Sequence, residues 1–146
     1  MLKELALAFG VVSICLGIHT AGLVVLAERV LRRRTAFERE PDMAHFILQL
    51  IKVFAIIILL HVVETAIWAG FYRWRELFPD YETSLYFSLT SYSTIGYGDV
   101  LLTQKWRLLG CVEGISGVLL CGLSTAFIFV VVDGLIRIRR QQQIQK

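Results

Sequence analysis

Charge and cysteine are both scarce in this chain of 146 residues. Charged residues make up 18% and hydrophobic residues 56% of the sequence, whereas soluble domains average about 25% and about 45–50%. The three cysteines are odd in number and lie inside apolar runs, which excludes a secreted module stapled by disulfides. The composition therefore excludes an ordinary soluble domain and predicts an integral membrane protein.

Three apolar segments are long enough to cross a bilayer as helices, which takes about 20 residues each. Residues 5–27 contain no Asp, Glu, Lys or Arg over 23 positions. No small-x-small cleavage site closes this run, so we expect an uncleaved transmembrane helix rather than a signal peptide. The expected organisation is an additional N-terminal helix at 1–27, a basic cytoplasmic loop at 28–42, a two-helix module at 43–136 and a short tail at 137–146.

The distribution of Lys and Arg predicts the orientation of these spans. Five lie between the first and second spans, four follow the third span, and four are spread over the much longer connection between the second and third. Lys and Arg in short loops mark the cytoplasmic side, so we expect the N-terminus outside and the C-terminus cytoplasmic, in the plasma or inner membrane. Arg32, Arg33 and Arg34 are expected to contact anionic lipid headgroups, and no nucleic-acid partner is expected.

The connection between the second and third spans is the most informative segment. It is uncharged for 16 residues, from Thr83 to Gly98, which as a helix would reach about 24 Å and fall short of a crossing. Non-helical backbone at membrane depth persists only where it is buried in protein or lines water. We therefore predict a re-entrant loop that starts with a short helix at 82–93, capped by Asp80 or Thr83.

Glycine alternates with larger residues in the last part of this loop. Successive carbonyls of a regular strand point in opposite directions, and aiming them one way requires left-handed angles at alternate residues, which are cheap only for glycine. Gly96 and Gly98 alternate with Ile95 and Tyr97. We predict a row of carbonyl oxygens that faces one axis and ends at the Thr94 hydroxyl. Carbonyls that replace a hydration shell recognise potassium, and several chains must share the axis to surround an ion.

The sequence Thr94-Ile95-Gly96-Tyr97-Gly98-Asp99 resembles the TVGYG signature of potassium channels. The resemblance extends to Tyr86-Phe87-Ser88, which stands where that family has an aromatic pair and a small residue, and to Trp106, seven residues after Asp99. It implies an all-α membrane protein and a passive, potassium-selective homotetramer with no cofactor beyond the permeant K+. The module would comprise an outer helix at 43–72, a pore helix at 82–93, a filter at 94–98 and an inner helix at 107–136.

The resemblance also implies roles for single residues. Asp99 would stand at the outer mouth; since Thr90 replaces a Glu that pairs with this Asp in several members, we expect Tyr86 as its partner. The ring of Tyr97 is expected to pack behind the filter, against Tyr86 and Phe87. Support for the filter is expected from Tyr86, Phe87, Thr90 and Ser93. The K+ ligands would be Thr94, Ile95, Gly96 and Tyr97, and Gly98 would complete the filter.

Ionisable residues inside the spans are functional candidates. His61 and Glu64 lie three positions apart on one helix face, which is compatible with a proton-sensitive pair or, with a third ligand, a metal site. Because no recognised metal-ligand motif is present, we do not expect a metal there. Glu113 is expected to accept hydrogen bonds from the loop, and His19 to face a neighbouring helix. Glu113, Glu64 and His61 are the candidate pH-sensitive groups.

The sequence admits three functions and leaves two details open. A membrane enzyme that uses His61, Glu64 and Glu113 does not explain the glycine alternation, so we expect a channel and no enzyme. The chain is either the sole subunit of that channel or a subunit that mixes with a different partner. Without a regular arginine array or a cytoplasmic ligand-binding domain, we expect a leak-like conductance. Gly114, Gly117 and Gly122 serve either as a hinge or for close packing.

Overall fold

The computed structural model describes residues 2–37 and 43–144, without the side chains of 33–37, 45, 138, 139 and 141–143. Within these ranges the chain contains no strand, as predicted for an all-α protein. The helices are α1 (Leu2–Phe37), α2 (Met43–Trp74), α3 (Tyr81–Tyr92) and α4 (Arg107–Ile144). Helices α1, α2 and α4 are each long and apolar enough to span a membrane.

Two helices extend further than the sequence predicted. Helix α1 continues to Phe37 rather than ending at 27, so the basic segment predicted as a loop is helical over much of its length. Helix α4 continues to Ile144 and includes most of the predicted tail. Both predicted boundaries fall at a charge cluster, but Arg, Glu, Gln and Leu are strong helix formers. Charge marks the membrane surface without ending the helix, and residues 38–42, 145 and 146 lie outside the described chain.

Helix α3 begins and ends with side-chain caps. Asp80 is the N-cap: its carboxylate accepts the Thr83 N–H at 2.7 Å and the Thr83 hydroxyl at 3.0 Å. These hydrogen bonds hold the pKa of Asp80 below its usual range and settle the choice between Asp80 and Thr83. At the other end, the backbone N–H and hydroxyl of Ser93 donate to the Leu89 carbonyl, at 3.1 and 2.5 Å. The helix is thus one residue earlier than predicted, at Tyr81–Tyr92.

An aromatic core fastens α3 against α2 and α4. The ring of Phe87 lies 5.3 Å from Tyr72 and 5.0 Å from Phe78, centroid to centroid, within a buried cluster that also contains Trp68. Most of the aromatic residues at the end of α2 lie inside the bundle. Trp68, Phe71 and Tyr72 are buried, whereas Trp74 is exposed, because the other helices cover this face of α2.

Helix α1 packs along the two-helix module. Gly22 approaches Leu60 so closely that an added Cβ would lie 2.6 Å from a Leu60 methyl group. Lys105 lies 3.8 Å from Glu4 in an ion pair, so the start of α1 is at the same end of the molecule as the connection that leads into α4. The predicted topology has both on the same side of the membrane.

Candidate functional site

The segment between α3 and α4 has alternating backbone angles. Thr94, Gly96 and Gly98 have φ of 60°, 54° and 80°, whereas Ile95 and Tyr97 are outside the left-handed region. The alternation predicted from the glycine spacing is present, and it begins earlier than predicted, at Thr94. Left-handed angles cost a non-glycine residue about 1–2 kcal/mol, so the surrounding structure must hold Thr94 in place.

Two backbone hydrogen bonds hold this conformation. The Thr94 N–H donates to the Ser91 carbonyl at 3.0 Å, and the Gly96 N–H donates to the Thr90 carbonyl at 3.0 Å. Both acceptors belong to the last turn of α3, whose carbonyls have no partner further along the helix. The end of α3 therefore sets the backbone of the segment that follows it.

The side chains of this segment face away from their own chain. All residues from Ser93 to Asp99 are exposed, and Tyr97 is 71% exposed. The predicted packing against Tyr86 and Phe87 therefore does not bury Tyr97 within one chain. Phe87 packs instead on the aromatic core of α2, which leaves the outer surface of the segment uncovered.

Asp99 has the partner that the sequence predicted. The Tyr86 hydroxyl donates to the Asp99 carboxylate at 2.7 Å, and this hydrogen bond holds the pKa of Asp99 below its usual range. The Thr90 hydroxyl donates to the Phe87 carbonyl at 3.0 Å, so Thr90 satisfies its own helix instead of taking the place of a Glu beside Asp99.

Glu113 ties the three elements of the module together behind α3. It is fully buried on α4, and its two oxygens accept the Ser88 hydroxyl of α3 at 2.5 Å and the Tyr72 hydroxyl of α2 at 2.6 Å. The Ser88 oxygen also lies 2.9 Å from the Thr65 carbonyl. The prediction that Glu113 accepts hydrogen bonds from the loop is confirmed by Ser88, and Tyr72 is a further donor that the sequence did not predict.

Glycines of α4 let the inner helix approach the end of α3. A Cβ added at Gly117 would lie 2.2 Å from the Tyr92 carbonyl oxygen, and one at Gly114 would lie 3.1 Å from that of Ser91. No real Cβ tolerates the shorter distance, so only glycine fits at Gly117. The close-packing alternative therefore holds for these two positions, whereas nothing lies within 4 Å of a Cβ added at Gly122.

A second polar cluster, here called the polar ring, joins all four helices. It consists of His19, His61, Glu64, Tyr92 and Ser124. The Glu64 carboxylate lies 2.7 Å from His19 Nδ1 and accepts the Tyr92 hydroxyl. That hydroxyl lies 2.8 Å from His61 Nδ1. Ser124 Oγ closes the ring, 2.9 Å from His19 Nε2 and 3.2 Å from His61 Nε2.

The polar ring confirms part of what the sequence predicted and adds to it. His61 and Glu64 share a helix face, with the closest nitrogen and oxygen 3.3 Å apart, and His19 faces neighbouring helices as expected. Tyr92 and Ser124 were missed, although each is a polar residue in a segment at membrane depth. Glu113 belongs to a different cluster, so the structure does not gather the three residues that the enzyme alternative would require.

Other predicted contacts fall at the margins of the site. Trp106 lies beside two cations, with the Arg75 guanidinium 5.2 Å and the Lys105 ammonium 5.3 Å from its ring centroid. Arg32 lies in α1, while the side chains of Arg33 and Arg34, with which it was expected to bind lipid headgroups, are outside the described part of the chain.

One comparison with known proteins identifies the module. Residues 56–133, more than half of the chain, match the family model described as Ion channel. The match begins within α2 and ends within α4, so it contains the whole pore loop and leaves α1 outside as the additional helix. No curated protein and no solved structure matches the chain. The protein therefore belongs to the ion channel family, as a two-helix, potassium-channel-like pore module preceded by an extra transmembrane helix.

Proposed function

We propose that the chain is the pore-forming subunit of a potassium-selective channel that conducts passively. The observation that carries this proposal is the alternation of backbone angles from Thr94 to Gly98, directly after a short helix held between two spans. A backbone of this kind can present successive carbonyl oxygens to one axis, and such oxygens replace the hydration shell of K+. The K+ ligands would be Thr94, Ile95, Gly96 and Tyr97.

Four copies of the chain would share that axis. One copy offers too few oxygens to surround an ion, and its filter side chains are uncovered: Ile95 is 57% and Tyr97 71% exposed. Apolar residues of α4 are exposed as well, among them Ile115, Val118 and Leu119. Neighbouring subunits would cover these surfaces. Native mass measurement of the purified chain should give four copies, and a monomer or dimer that conducts K+ would contradict the proposal.

A mixed channel is the second candidate, because the same exposed surfaces would fit a related chain. Expression of this chain alone separates the two possibilities. A homotetramer forms and conducts without any other protein, whereas a subunit of a mixed channel stays unassembled or silent until its partner is added.

The membrane orientation follows from the arginine clusters. The N-terminus would lie outside and the C-terminus in the cytoplasm, with Asp99 facing the outside. A protease added to intact cells should remove an N-terminal tag and spare a C-terminal one. Two protected tags would show that the first helix does not cross as proposed.

Ion flux into liposomes that contain only the purified chain tests the function itself. We expect K+ to enter far faster than Na+, and the reversal potential under K+/Na+ bi-ionic conditions to follow K+. Empty liposomes and liposomes with the Gly98→Ala variant are the controls. Equal permeability to both ions in the unmodified protein would overturn potassium selectivity while leaving a cation channel in place.

A further inference from the structure

The polar ring has one hydrogen too few for its contacts. Five contacts close the ring, and each needs one hydrogen between its two atoms. Neutral His19 and His61 supply one each, the hydroxyls of Tyr92 and Ser124 supply one each, and ionised Glu64 supplies none. Four hydrogens are therefore available for five contacts. In one contact two acceptor lone pairs must face each other, which is repulsive, unless the ring holds an additional cation.

The position of Ser124 indicates where that cation would bind. Its oxygen has two lone pairs and lies within hydrogen-bond distance of Nε2 of both histidines. When both Nε2–H groups donate to Ser124, both Nδ1 atoms carry bare lone pairs. These two nitrogens face the Glu64 carboxylate, at 2.7 Å for His19 and 3.3 Å for His61, so nitrogen and oxygen acceptors converge on one point inside the bundle.

The converging atoms form a ligand set for a transition metal. His19, His61 and Glu64 each offer one ligand atom, and these atoms all lie within 4.8 Å of one another. Ligands about 2.0–2.1 Å from a tetrahedral Zn2+ lie about 3.4 Å apart, so side-chain movements of about 1 Å suffice. Two imidazoles and a carboxylate are a familiar zinc set that leaves a fourth position, and the Tyr92 hydroxyl, 2.8 Å from His61 Nδ1, stands beside it.

The surroundings suit a metal site as well. Metal-bound histidines nearly always donate their second nitrogen to a fixed acceptor, and Ser124 provides that acceptor for both. His19 and Glu64 are fully buried, while the side chain of His61 is 19% exposed. An ion would therefore enter the site on the side of His61. The sequence showed only His61 and Glu64 as a pair; the third ligand comes from α1, 42 positions before His61.

We propose that His19, His61 and Glu64 form a binding site for one Zn2+-like transition-metal ion per chain, with Tyr92 beside the fourth position and Ser124 orienting both imidazoles. The site lies within a single chain and is independent of the proposed potassium selectivity. A bound ion would clamp α1 to the pore module.

Direct metal binding to the full-length chain tests the proposal. The chain is purified in detergent, stripped with a chelator, dialysed against Zn2+ and analysed for metal; we expect one Zn2+ per chain. Co2+ serves as a spectroscopic probe on the unmodified protein. We expect the visible bands of a tetrahedral site without a thiolate charge-transfer band, because Cys121 Sγ lies 4.0 Å from His61 Nε2 and is not among the proposed ligands.

Matched variants locate the ion. His19→Gln should weaken Zn2+ binding more than tenfold, and Ser124→Ala, which removes only the orienting hydroxyl, should weaken it about 10–100-fold. His45→Gln removes the remaining histidine of the chain and should leave binding unchanged. If His19→Gln does not fold, the Zn2+ affinity of Ser124→Ala and the Co2+ spectrum of the unmodified protein test the site instead. Absence of stoichiometric metal, a thiolate band, or equal losses in His45→Gln and Ser124→Ala would overturn the site.

Discussion

The pore loop (93–99) and the polar ring differ in how the chain brings their polar atoms together. The loop from Ser93 to Asp99 consists of consecutive residues whose side chains are exposed, and its backbone angles follow from local glycine spacing. The polar ring gathers residues from four helices, and His19 and Glu64 within it are fully buried. The loop is thus determined by one local stretch of sequence, whereas the ring depends on helix packing, and only its His61–Glu64 pair can be recognised in the sequence.

Tyr92 connects the two regions. Its hydroxyl belongs to the polar ring, and its position two residues before Thr94 places it at the base of the loop. The Tyr92 carbonyl is also the atom that α4 approaches at Gly117. Substitutions in the loop test the effect of its own backbone angles, whereas substitutions in α4 test the effect of helix packing on the loop.

The largest effect is expected at the loop glycines. Gly98→Ala or Gly96→Ala places a side chain on a left-handed backbone, which costs about 1–2 kcal/mol in each copy. A preference for K+ over Na+ should fall at least tenfold, measured as a shift of the bi-ionic reversal potential. Gly70→Ala is the matched control. An added Cβ would have no neighbour within 4 Å at Gly70, Gly96 or Gly98, but only Gly96 and Gly98 have positive φ. Unchanged selectivity in both loop variants would show that the angles do not define the filter.

The next effect tests the approach of α4 to α3. Gly117→Ala would bring a Cβ to 2.2 Å from the Tyr92 carbonyl oxygen, so the two helices must separate. Overpacking of this kind costs about 1–3 kcal/mol and should lower the Tm in detergent and the yield of assembled protein. Gly122→Ala, with nothing within 4 Å, should change neither. Equal Tm values for the two variants would contradict the packing described for α4.

Glu113 tests the polar contact behind the loop. Glu113→Gln keeps one acceptor oxygen but turns an amide N–H2 toward one of the two hydroxyls that donate to it, at a cost of about 1–3 kcal/mol. Of the groups that contact Glu113, Tyr72 from α2 is titratable, while α3 contributes the Ser88 hydroxyl. We expect a lower Tm and a flatter dependence of current on pH than in the parent.

The control for this variant is Glu82→Gln, which makes the same chemical change at an exposed position of α3. It should retain the Tm and the pH response of the parent. Identical pH responses in the parent and in Glu113→Gln would exclude Glu113 as a pH-sensitive group.

The smallest effect is expected at Asp99, at the proposed outer mouth. The Tyr86 hydrogen bond holds the pKa of Asp99 below its usual range, so the carboxylate keeps its charge to a lower pH than an ordinary Asp and loses it only as the pH falls through that lowered value. Tyr86→Phe removes the bond, and the pKa should rise toward the ordinary value of about 3.9. External acid should then reduce the K+ current at a higher pH than in the parent. Tyr81→Phe, which loses only a 3.4 Å contact to the Ala66 carbonyl, should match the parent.

Sequence reasoning succeeded where structure is local. The positive φ of Gly96 and Gly98, the Asp80 cap and the Tyr86–Asp99 pair lie within one short segment, so residue types and spacing were sufficient. It failed for Tyr97, which its own chain leaves 71% exposed, and for the ends of α1 and α4, because charge clusters mark the bilayer surface without stopping a helix.

The sequence by itself determined that the chain has three apolar spans, a short capped helix and a glycine-alternating loop, because hydrophobic length and backbone permissiveness are properties of consecutive residues. Only the tertiary structure decided that Tyr72 and Ser88 share Glu113, and that His19 of α1 meets Glu64. Helix packing brings together side chains that are far apart along the chain, and a buried polar group must find its partner wherever the fold places one.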